Sequence, residues 1–95
     1  MRKKESILKA QILGWLNSLP DAHFVKLSDR FSSGLPDIIG SFQRRGVFLE
    51  VKVPGEKTTP LQEYHLAKFS LAGGCCGVVT CIEDVETIFK RDGLI

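Results

Sequence analysis

Ninety-five residues, 43% hydrophobic and 25% charged, predict one domain over residues 1–95 with an ordinary globular core, and exclude disorder and collagen-like repeats. Apolar runs of a few residues exclude a helical membrane span, which needs about 18. The formal charge is only +2, yet residues 1–52 carry nine Lys or Arg against five acids, whereas residues 53–95 carry four against six. A front half at +4 suits phosphate contacts and a solvated surface equally well.

Residues 3–19 predict the first helix, because Leu8, Ile12, Trp15, Leu16 and Leu19 form one stripe at helical spacing, widened by Ile7 and Leu13. Glu5 falls on the same stripe. With Lys9 and Gln11 it interrupts the apolar run that a secretory leader would need after Met1-Arg2-Lys3-Lys4. Pro20-Asp21 ends the helix. Residues 23–27 suit a first strand, followed by a polar loop over 28–34. Residues 36–42 and 46–53 predict a hairpin joined through Gln43-Arg44-Arg45-Gly46. After a loop, Thr59-Pro60-Leu61-Gln62 opens a second helix as a capping box, and Gly73-Gly74 closes it. A fourth strand over 75–82 and a helix over 83–91 complete the chain. The order α-β-β-β-α-β-α implies a mixed four-stranded sheet flanked by helices, with strands 3 and 4 parallel across the second helix. Cys75, Cys76 and Cys81 lack zinc spacing and read as small buried hydrophobes in a reducing compartment. His23 and His65 read as structural or surface residues.

The third strand carries the chemistry. Val47, Leu49, Val51 and Val53 alternate onto one apolar face, which leaves Phe48, Glu50 and Lys52 on the other. Pairing Phe42 with Val47 sets Asp37 opposite Lys52 and makes Asp37 and Glu50 a diagonal pair, roughly 7–8 Å apart at the backbone. Two carboxylates so disposed can clamp a divalent cation, with the Val51 carbonyl as a third hard oxygen. Such a cation suits phosphodiester hydrolysis, and Lys52 can offset charge developing on the phosphorane.

Gly34-Leu35-Pro36-Asp37, Glu50-Val51-Lys52 and the Thr59-Pro60-Leu61-Gln62 helix start resemble the VRR-NUC family, the virus-type replication–repair nucleases of the PD-(D/E)xK superfamily. The resemblance runs from Glu5 to about Phe89. It implies a restriction-endonuclease-like α/β fold, Asp37 and Glu50 as metal ligands, Lys52 as the catalytic lysine, and Mg²⁺ as cofactor with Mn²⁺ able to substitute. It also implies that Glu5 on the first helix and Gln62 on the second belong to the active site. The function it implies is a DNA endonuclease acting on branched substrates, of the Holliday-junction-resolvase type. Such an enzyme would be homodimeric, bacterial or phage-encoded, and cytoplasmic, with no membrane and no small-molecule cofactor involved.

Several of these residues have a second explanation. Glu5 also complements the positive end of a helix, and Gln62 also completes a capping box. Arg44 and Arg45 on the hairpin tip, Lys57 in the following loop, and Lys3 and Lys4 at the head of the first helix are candidate phosphate contacts or solvated charges. A flap or nicking nuclease is the alternative within enzymes. A DNA-binding module without catalysis is the alternative outside them.

Overall fold

The computed structural model describes residues 3–27 and 34–95, Lys3 by its backbone alone, so residues 28–33 of the predicted loop lie outside the described residues. The elements follow the predicted order: α1 (Lys3–Asn17), β1 (His23–Lys26), β2 (Ile38–Phe42), β3 (Arg45–Val51), α2 (Pro60–Leu71), β4 (Cys75–Val79) and α3 (Ile82–Arg91). The sheet runs β1-β2-β3-β4. The first three strands are antiparallel, and β4 lies parallel to β3.

The apolar face of β3 is the core face, as predicted. Val47, Leu49 and Val51 are fully buried there with Ile38, Phe42, Cys75 and Val79. Ile12 and Leu16 of α1 and Val85, Ile88 and Phe89 of α3 cover them. Each such aliphatic side chain contributes about 1.5–3 kcal/mol by leaving water. Gly77 on β4 permits the close seating of α3, since a Cβ there would collide with the Ile88 side chain. Leu8, Leu13, Trp15 and Leu19 border this core, whereas Ile7 is 56% exposed and does not widen the stripe. Asn17 ties α1 to β1: its amide accepts from the Phe24 N–H at 2.8 Å and donates to the Phe24 carbonyl at 3.0 Å. On the other face, Phe69 of α2 stacks on Phe48 with ring centroids 4.1 Å apart.

Several boundaries and one register differ from the sequence reading. Gln43 and Arg44 alone make the hairpin turn, both at positive φ (55° and 63°), as a two-residue primed turn requires. Phe42 therefore pairs with Arg45, not Val47, and Ile38 pairs with Leu49. The shift is two residues, so every side chain keeps its face. β2 begins at Ile38 because the Asp37 carboxylate, in place of a ladder carbonyl, accepts the Val51 N–H. β3 stops at Val51; beyond it the Val53 N–H bonds the Glu56 side chain, and Pro54 follows. β4 stops at Val79 because Asp84 accepts from both the Thr80 N–H and its hydroxyl, each at 2.8 Å. Among the described residues, no helix is long and apolar enough to cross a membrane.

Candidate active site

Continuing the hairpin register by one residue sets Asp37 opposite Glu50 rather than Lys52, which brings the two carboxylates closer than the predicted diagonal. Each is oriented by neighbours that differ in kind. Oδ2 of Asp37 accepts from the Val51 N–H at 2.9 Å, and Oδ1 lies 3.1 Å from Lys9 Nζ. Oε2 of Glu50 accepts from Gln62 Nε2 at 2.8 Å and lies 3.6 Å from Lys52 Nζ. Oε1 of Glu50 is buried and has no hydrogen-bond partner among the described residues.

Glu50 is only 3% exposed. Burial, reinforced by the Asp37 charge, pushes its carboxyl from 4.5 up to about 7 against the opposing pull of Lys52 and Lys9. An unpartnered buried carboxylate oxygen beside a second carboxylate is the donor set that a hard divalent cation satisfies. Asp37, Glu50 and the Val51 carbonyl are the residues that could hold one. No cluster of three or more His, Cys, Asp or Glu exists among the described residues. A cation here would thus draw its remaining ligands from water or substrate oxygens.

Gln62 closes the predicted capping box and also contacts Glu50. Its Oε1 accepts from the Thr59 N–H at 2.8 Å and its own N–H donates to Thr59 Oγ1 at 3.2 Å, which closes the capping box. Its remaining amide group is the donor to Glu50. Gln62→Glu would preserve the box but set a carboxylate against Glu50. The variant is expected to melt several degrees below wild type at pH 8 and close to it at pH 5, where a protonated Glu50 can donate to the new carboxylate. Equal melting shifts at the two pH values, read by circular dichroism, would contradict the contact.

Glu5 reaches the site indirectly, through Lys9, whose Nζ lies 3.9 Å from Glu5 Oε1. Lys9 is the site residue that sequence reading missed; its signal was the i, i+4 spacing from Glu5 on α1. Lys4 is exposed beside Glu5, and Lys57 is exposed on the loop joining β3 to α2. The Lys3 side chain lies outside the described residues. Arg44 and Arg45 are not gathered into this site, because five strand residues, about 16 Å, separate Arg45 from Glu50. Arg45 serves as a bracket: it donates to the carbonyls of Gly73 and Asp92, and its guanidinium lies 3.7 Å from the Asp92 carboxylate. It borders a cleft of about 400 Å³, along with Ser70, Cys76 and Arg91. The cysteines are free thiols; burial first, and then Asp92, pushes Cys75 up to about 12.

No protein-family model and no curated protein matches the sequence. Among solved structures, one named "VRR_NUC domain" superposes with TM-score 0.74 at 24% identity, covering 93% of this chain and 96% of that one. A second, named "VRR_NUC domain protein", gives TM-score 0.75 at 18% identity, covering 96% of this chain and 89% of that one. The chain has the VRR_NUC fold. The α/β architecture expected from the resemblance is therefore present, and within this VRR_NUC fold the Asp37–Glu50 pair sits where β2 and β3 leave their ladder.

Proposed function

We propose that this chain is a divalent-cation-dependent endonuclease that hydrolyses phosphodiester bonds in DNA, with four-way junctions and related branches as substrate. The observation that supports this most is the buried, unpartnered Oε1 of Glu50 beside Asp37, with Lys52 next to the pair. Mg²⁺, or Mn²⁺ in its place, would be held by Asp37, Glu50 and the Val51 carbonyl, and would supply charge neutralisation at the phosphate and a more acidic water. The protein's own groups do the rest. The Val51 N–H fixes Asp37, and Gln62 fixes Glu50, so neither carboxylate must reorganise during the reaction. Lys52, with its side chain 12% exposed, keeps an ammonium beside the pair to offset negative charge developing on the phosphorane.

Lys4 and Lys57, and also Lys3, Arg44 and the exposed edge of Arg45, offer phosphate contacts of the sequence-independent kind. Resolving a junction takes two symmetric cuts, and a C₂ homodimer supplies two sites in that relation. The likeness to VRR_NUC domains supports a nuclease over a binding module, and so does the carboxylate pair, which by itself repels phosphate. The test is a panel of end-labelled duplex, flap, splayed-arm and four-way DNAs with Mg²⁺ or EDTA. The junction is expected to be cut fastest, in Mg²⁺ only. Binding without cutting at any Mg²⁺ concentration would favour the non-catalytic module, and faster cutting of the flap would replace the proposed substrate.

A further inference from the structure

We infer that Lys9 is a tethered counter-cation that competes with the divalent ion for Asp37, and that Glu5 is the carboxylate that receives Lys9 when the ion enters. The inference rests on the reading that Asp37 and Glu50 hold such an ion. Among the described residues, three of the four polar contacts around the pair are compatible with a bound cation. The Val51 N–H and the Gln62 amide are neutral donors on Oδ2 and Oε2, while Lys52 stands against Oε2, away from the unpartnered Oε1. Lys9 is the exception, because its ammonium lies 3.1 Å from Oδ1, which among the described residues accepts no backbone hydrogen bond.

An ammonium and a divalent cation on one carboxylate oxygen repel each other strongly in a partly desolvated site. With the ion bound, Lys9 must withdraw, and an alternative partner stands one helical turn away. Glu5 precedes Lys9 by four residues on α1, the favourable order for such a pair, and its Oε1 is already 3.9 Å from Nζ. The side chains of Glu5, Lys9 and Asp37 are 17–21% exposed, so Lys9 can exchange between the two carboxylates without crossing the core. The arrangement assigns Glu5 a role that needs no contact with the ion: it lowers the cost of displacing Lys9.

Isothermal titration of the whole chain with Mg²⁺ alone tests this. Lys9→Gln is expected to bind Mg²⁺ roughly five- to tenfold more tightly than wild type. Lys9→Arg keeps the charge and is expected to bind at wild-type strength or more weakly. Glu5→Gln strands Lys9 on Asp37 and is expected to bind several-fold more weakly, whereas the Lys9→Gln/Glu5→Gln double variant should match Lys9→Gln. Unchanged or weaker binding by Lys9→Gln would overturn the inference, as would equal losses from Glu5→Gln with and without Lys9. Should wild type and Asp37→Asn take up Mg²⁺ alike, or neither take it up, the metal site itself fails, and the inference with it.

Discussion

Glu50→Gln is expected to abolish DNA cleavage while raising the melting temperature of the metal-free protein at pH 8. Both effects come from one carboxylate. In the fold its pKa lies near 7 instead of 4.5, so the folded protein holds a proton that the unfolded chain has released. Stability must then fall as pH rises from about 4.5 through about 7, and stay low above that range. The cost at pH 8 is on the order of a few kcal/mol. Glutamine removes the buried charge at nearly constant volume, so the pH slope should flatten and the stability lost in wild type should return. Cleavage should drop at least 10³-fold, because an oxygen needed for the cation is replaced by an amide. DNA binding should persist or tighten, since one negative charge near the phosphate is gone. Asp37→Asn is expected to lose cleavage in the same way. Wild-type cleavage in either variant, or an unchanged pH slope of melting in Glu50→Gln, would contradict the assignment.

Lys52→Ala is expected to cost about 10²–10³ in cleavage rate, the usual effect of removing one preorganised charge at a developing anion. Its ammonium touches Glu50 Oε2, not the open Oε1, so the Mg²⁺ requirement should not rise. Single-turnover kinetics across a Mg²⁺ titration separates the two effects. A normal rate at saturating Mg²⁺ with a much higher half-saturation concentration would make Lys52 a determinant of metal binding and refute its role at the phosphorane.

Local patterns in the sequence were enough for the element order and for the two faces of β3. Val47, Leu49 and Val51 alternate with Phe48 and Glu50, and the core lies on the first set. The capping box at Thr59 and Gln62 was legible for the same reason, since its partners are three residues apart. The hairpin register was not, because a primed turn built from Gln43 and Arg44 lacks the Asn-Gly signal that normally marks it. The site survived that error because a two-residue shift preserves sidedness. Contacts that depend on how the helices seat were hidden. Lys9 against Asp37 and Arg45 against Asp92 depend on how α1 and α3 seat on the sheet, which no local pattern encodes. Gln62 shows the limit in another form: one short motif accounted for one of its amide atoms, while the other was committed to Glu50.

The most direct measurement is anomalous diffraction from a crystal of this protein soaked in Mn²⁺. A Mn²⁺ peak in contact with Asp37 Oδ1 and Glu50 Oε1, with Lys9 turned toward Glu5, is the expected result. A fully occupied Mn²⁺ elsewhere on the chain, or none beside Glu50 at concentrations that support cleavage, would contradict it.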